Sequence, residues 1–133
     1  AIYAARPDVQ AVIHSHPPHA TAFAITDQSL PAGIHPEAEL FLGDVPTASY
    51  ATPGTQAAAD NVVSVIKPNT NTVLMANHGS VTFSDTLLGA YDKLEILDAY
   101  CRLLILARQA GEVRPLSDAQ VQELRALKTK HGW

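Results

Sequence analysis

Ala11-Val12-Ile13-His14-Ser15-His16-Pro17-Pro18-His19-Ala20 reads as a β-strand that ends in two histidines and then turns into a helix. The apolar, β-branched run from Val9 to His14 suits a buried strand. Pro17 and Pro18 stop it, and Pro18 fits the first turn of a short helix to about Ala24, where a missing amide hydrogen costs nothing. Successive strand side chains point to opposite faces, so His14 and His16 share a face and can grip one ion. A third histidine, His78, ends a second strand-like run from Thr72 to Ala76, and Gly79 behind it lets the backbone turn sharply. Three imidazoles with no cysteine beside them form the ligand pattern of a catalytic metal site, which keeps coordination positions open for substrate. The predicted metal ligands are therefore His14, His16 and His78. A lone histidine on a strand is more often a hydrogen-bonded structural residue; the combination at two strand ends is what points to metal.

Outward from these strands, Pro31 to Gly33 reads as a loop and Glu37 to Leu42 as a helical turn closed by Gly43. Val45 to Tyr50 is predicted as a strand and Thr52-Pro53-Gly54-Thr55 as a tight turn. Thr55 is placed to cap a helix to about Ile66, ahead of Pro68. Ser80 to Phe83 is another strand. The longest element runs from Thr86 to about Ala110, with Ala90, Leu94, Leu97, Cys101 and Leu104 at helical spacing and Tyr100, Leu103 and Ile105 widening the face. Gly111 ends it, and Ser117 to Gln120 fits a capping box for a last helix toward Lys128. Alternating strands and helices indicate α/β architecture.

Composition narrows the function. The 133 residues suffice for one domain with a real core, and the expected organisation is a single domain over residues 1–133. Nine Lys+Arg against thirteen Asp+Glu leave a net charge of −4 with no basic cluster, which argues against nucleic acid as a partner. The single cysteine, Cys101, excludes an internal disulfide and a cysteine-ligated metal, and suits a reducing cytoplasm. No apolar run approaches the ~20 residues of a membrane span, so no membrane partner is expected. Ala1 to Ala5 reads like the last turn of a helix stopped at Arg6-Pro7-Asp8. Either removal of an initiator methionine left alanine first, or a larger protein continues upstream; the expectation is an N-terminally incomplete domain.

The remaining polar residues divide between chemistry and structure. His19 is placed to reach the same pocket as a proton-transfer or supporting group, or to be a helix-start histidine. His35 is a weaker candidate, and His131 is expected to face solvent. Glu37 and Glu39 suit a helix start, where carboxylates meet the positive end of the dipole; Glu37 is the outside candidate for acid–base work. Tyr50 and the Thr52–Thr55 turn read equally as cleft walls or as structure. Glu95 and Asp98 read as pocket residues or boundary charges, and Cys101 as a small core hydrophobe.

The stretches AIYAARPDVQAVIHSHPPHATAFA (residues 1–24), YATPGT (50–55) and NTVLMANHGSVTFSDTLLGAYDKLEILDAY (71–100) together resemble the class II aldolase/adducin family. The resemblance runs along essentially the whole chain, and the His-x-His-Pro plus Asn-His-Gly combination is fairly specific. It implies that His14, His16 and His78 hold a catalytic zinc, with manganese, cobalt or iron also compatible with three imidazoles. It implies a three-layer α/β/α sandwich around a mostly antiparallel central sheet, in place of the parallel sheet that strand–helix alternation suggests. It also implies a homotetrameric ring and a small-molecule substrate. The chemistry implied is aldolase-type carbon–carbon cleavage of a small hydroxy-carbonyl or sugar-phosphate compound through a metal-stabilised enediolate. Epimerisation, dehydration and decarboxylation draw on the same intermediate, and Leu40 to Pro46 (LFLGDVP) is similar to the epimerase branch. A non-enzymatic, adducin-like assembly module is the third alternative. The sequence departs from the family pattern in two places. The family's catalytic glutamate and phosphate-binding segments would lie upstream of Ala1, leaving the catalytic base unassigned, and Pro36 stands where the sugar-phosphate aldolases have tyrosine after the histidine matching His35.

Overall fold

The computed structural model describes residues 1–132. Ten elements follow one another: α1 (Ile2–Ala5), β1 (Ala11–Ser15), α2 (Pro18–Ala24), α3 (Pro36–Phe41), β2 (Thr47–Ala48), α4 (Gln56–Ser64), β3 (Thr72–Met75), β4 (Gly79–Ser84), α5 (Leu87–Ala110) and α6 (Asp118–His131). The four strands form one sheet in the order β1-β4-β3-β2. β1 with β4 and β4 with β3 are antiparallel, and only β3 with β2 is parallel. The sheet is thus mostly antiparallel, as expected.

The strand period sorts the core into two halves. On β3, Leu74 joins Ala20, Phe23, Leu97, Tyr100, Cys101 and Leu104 on the side covered by α2, α3 and α5. Its neighbours Val73 and Met75 point the other way, packing with Val9, Val62, Val81 and Phe83 under α1 and α4. Helices therefore lie on both faces of the sheet, giving three layers. Both faces must be apolar for this, which is why β3 and β4 are buried along nearly their whole length.

Capping explains where several helices begin. Thr55 and Thr86 accept from the Ala58 and Gly89 amides, and Ser117 with Gln120 forms the capping box at the start of α6. The predicted strand Val45–Tyr50 shrinks to Thr47–Ala48. Beyond Ala48 the side-chain amide of Asn61 on α4 donates to the Ser49 carbonyl at 3.0 Å, so that backbone turns from the ladder toward the helix. Leu103, predicted on the buried face of α5, is 46% exposed because the helix turns it away from the contacts of Leu104. Cys101 is fully buried, and burial pushes its thiol up to about 12, as befits a core residue.

Glu39 stands in the first turn of α3, as expected, and makes contacts the sequence did not indicate. Its side chain is 1% exposed, accepts from the Gly33 amide at 3.1 Å, and meets Arg125 Nε at 2.8 Å, tying α3 to α6. α6 has no buried residue among those described, and this pair supplies a polar anchor for the C-terminal helix. Arg125→Ala should cost about 1–3 kcal/mol, the penalty for a buried acceptor stripped of its partner. Urea unfolding measures this directly; unchanged stability would show that α6 docks without the pair.

Candidate metal centre

His14 stands on β1 opposite Val81, on the face covered by α1 and α4. His16 follows one residue past the strand and returns to that face. His78 occupies the last position of the three-residue turn Ala76-Asn77-His78, which joins β3 to β4 across the Met75–Gly79 pair. The structure brings all three together, their ligand atoms within 4.8 Å of one another. The ring centroids form a nearly equilateral set: 4.8 Å from His14 to His16, 4.7 Å from His14 to His78 and 4.9 Å from His16 to His78.

Two local features make the turn. Asn77 adopts φ 56°, a left-handed conformation that asparagine tolerates better than most residues, and its amide donates to the Ala24 carbonyl at 2.8 Å. Gly79 solves a problem of space. A Cβ there would lie 2.5 Å from His16 Cδ2 and 2.6 Å from the Ser15 carbonyl oxygen. Only a residue without a side chain lets the His16 ring and β1 come this close to β4.

The donor set fits a divalent ion. His14 Nδ1 lies 3.0 Å from the Ser80 carbonyl, which fixes Nδ1 as the protonated nitrogen and presents Nε2 as the free donor. Small rotations bring such nitrogens to the roughly 3–4 Å separations that ~2.1 Å zinc–nitrogen bonds require. Burial pushes the His78 imidazole below its ordinary value, and His14 and His16 press the same way, favouring the neutral form that ligates. Beside the triad lies a cavity of about 600 Å³ whose walls include Ile2, Val12, Pro53, Met75, His14 and His78. Pro53, Gly54 and Thr55 of the predicted turn line it, while Tyr50 sits in a smaller recess that also reaches His78.

The other candidates lie elsewhere. His19 does not join the triad; its Nδ1 pairs with Asp98 Oδ2 at 2.8 Å. Asp98 Oδ1 accepts the His19 and Ala20 amides at 2.8 and 3.0 Å, so this α5 carboxylate caps α2 from outside. Sequence reading missed that role because the cap comes from a helix far along the chain. Its effect is to hold the start of α2, and with it the Pro17 bend directly behind His16. His35 lies 3.2 Å from Glu37 Oε2, and Glu95 accepts from the Tyr91 hydroxyl on the exposed side of α5. His131 is exposed.

Burial alone would raise the Asp98 carboxyl, but hydrogen bonds from the His19 ring and the Ala20 and His19 amides outweigh it and hold it below its ordinary value. A carboxyl depressed on folding contributes stability above its unfolded value, about pH 4, and loses that contribution as the pH falls through the folded value. Asp98→Ala should therefore cost about 1–2 kcal/mol at neutral pH, as for a lost cap. The gap to wild type should narrow on acidification below about pH 4. Urea titrations at pH 7 and pH 3 test this; a gap independent of pH would contradict it.

The sequence pattern described as the Class II Aldolase and Adducin N-terminal domain matches residues 1–105. The chain belongs to the class II aldolase/adducin family. The L-fuculose phosphate aldolase of Methanococcus vannielii is 37% identical to this class II aldolase homologue over 102 residues, covering 77% of this chain and 54% of the relative. The protein of the same name from Escherichia coli is 37% identical over 81 residues, covering 61% of this chain and 37% of the relative. Among solved structures, an L-fuculose 1-phosphate aldolase superposes with a TM-score of 0.86 at 31% identity, covering 99% of this chain and 60% of its own. A putative aldolase/epimerase/decarboxylase from Klebsiella pneumoniae superposes with a TM-score of 0.82 at 30% identity, covering 92% of this chain and 60% of its own. The chain spans about half the length of the first of these relatives. Among the described residues, no helix of this family member is long and apolar enough to cross a membrane.

Proposed function

We propose that this protein is a metal-dependent aldolase-type carbon–carbon lyase acting on a small hydroxy-carbonyl or sugar-phosphate substrate, in carbohydrate metabolism. The observation that carries the reading is the convergence of His14, His16 and His78 beside a cavity. When bound there, zinc would supply Lewis-acid polarisation of a substrate carbonyl. The protein's own part is positional. His14 is oriented by the Ser80 carbonyl, His16 by the Pro17 bend and the Asp98-capped start of α2, and His78 by the Asn77–Gly79 turn. Ile2, Val12, Val62 and Met75 line the adjoining cavity with apolar surface against which the carbon chain of a small substrate can pack.

Assembly into a homotetramer belongs to the same reading. Its support is the apolar surface α5 leaves exposed: Leu87 and Leu88 at 68%, Leu106 at 49% and Leu103 at 46%. The second reading keeps the site and changes the reaction to epimerisation, dehydration or decarboxylation. It is favoured by the likeness to the Klebsiella protein, whose description spans aldolase, epimerase and decarboxylase. A panel of hydroxy-carbonyl and ketose-phosphate substrates, given to the native gene product with and without zinc, separates the two. Zinc-dependent release of an aldehyde fits the lyase; a stereoisomer, lost water or carbon dioxide fits the alternative. Zinc-independent turnover would overturn both.

A further inference from the structure

α2 begins two residues after His16, yet its N-cap residue, Pro17, has no side-chain oxygen with which to cap it. The first-turn amides are met in another way. Pro18 has none, and Thr21 donates to the Pro17 carbonyl at 2.8 Å. The His19 and Ala20 amides donate to Asp98 Oδ1 at 2.8 and 3.0 Å. Asp98 belongs to α5, which is locked in the core through Leu97 and Cys101, both fully buried. The far end of α2 reaches the segment of another ligand. Ala24, its last residue, accepts the Asn77 amide at 2.8 Å, and Asn77 immediately precedes His78. A helix of seven residues thus joins the His16 segment to the His78 turn. By helical rise it is roughly 10 Å long. Ala20, Phe23 and Ala24 bury its inner face, which leaves it little room to slide while Asp98 holds its start.

We propose that Asp98 is a positioning residue for the metal centre: by fixing α2 it sets the separation of His16 from His78. Its hydrogen bonds go to α2 and to none of the three ligand imidazoles. The role deepens the metal reading of the triad and rests on it. Ligand distances at such a site must hold to about 0.2 Å, so a small drift of α2 is enough to spoil them. His16 already has the Gly79 backbone against its ring, and its centroid stands 4.9 Å from that of His78. A shift at either end of α2 therefore passes to the ligands. The His19 ring, on Asp98 Oδ2, is not required for this; the two amides on Oδ1 carry it.

Zinc affinity at pH 7, from competition against a chromophoric chelator, and the visible absorption of cobalt-substituted protein test this on folded variants. Asp98→Ala should lose about tenfold in affinity, the low end of what lost outer support costs a metal site, and its cobalt bands should shift. Asp98→Asn keeps an oxygen for both amides and should recover most of the affinity. Asp98→Glu keeps the charge but lengthens the link from α5 to α2 by one methylene, and should also shift the cobalt bands. Arg125→Ala, which loosens α6 on α3, should bind zinc like wild type. Wild-type affinity and cobalt bands in folded Asp98→Ala, or in Asp98→Glu should the alanine variant not fold, would overturn the proposal. An equal loss in Arg125→Ala, or no recovery in Asp98→Asn, would overturn it too. Wild-type protein that binds no zinc would remove the metal site itself, and this role with it.

Discussion

Replacing His78 with alanine is expected to abolish tight binding of divalent metal while leaving the fold intact. His78 is in a turn, and its ring contributes to the triad rather than to either core cluster. Removing it leaves two imidazoles of three. Loss of an outer hydrogen-bond partner alone typically costs 10–100-fold in metal affinity or activity, roughly, so loss of a ligand should exceed that range. Competition titration against a chromophoric zinc chelator reads the affinity, and circular dichroism checks the fold. His19→Ala is the informative control. It removes a histidine close in sequence to the pair but paired with Asp98, and it should keep far more of the affinity. Equal losses for the two variants would mean that the triad is not the metal's seat.

The second large effect is expected at Gly79. Here a single methyl group meets the His16 ring on one side and the Ser15 carbonyl on the other, at 2.5 and 2.6 Å. The ring can swing, but the carbonyl belongs to β1, whose Ser15–Ser80 pairing with β4 would have to open. Overpacking of this kind costs about 1–3 kcal/mol. Gly79→Ala should therefore lower the midpoint of thermal unfolding and weaken metal binding together, whereas His78→Ala moves chiefly the second. A stable Gly79→Ala protein with wild-type affinity would show that β1 and β4 approach less closely than described.

Much of this was legible in the sequence because its signals are local. The Pro-Pro stop after His16, the caps at Thr55 and Ser117, and the helical spacing of Ala90, Leu97, Cys101 and Leu104 each act within a few residues. His14 and His16 reach one face through the two-residue strand period, which is local as well. Their meeting with His78 depends on β1 pairing with β4, a long-range fact that the sequence suggests only indirectly, through three histidines at two strand ends and through the family resemblance. The antiparallel sheet was accessible by the same route, since strand–helix alternation alone favours a parallel one. The partners of Asp98 and Glu39 were not legible, for a related reason. Each serves a backbone or side-chain group on another element, at the start of α2 and on α6 respectively. Nothing within a few residues of either marks those partners.

The central claim is that His14, His16 and His78 form one metal site, and metal content per chain tests it most directly. Protein purified without a histidine tag, equilibrated with zinc and dialysed, should carry about one zinc per chain by elemental analysis, and the His14→Ala, His16→Ala and His78→Ala variants should carry little. Folded wild-type protein that retains no zinc, or single-histidine variants that retain the full complement, would contradict the account.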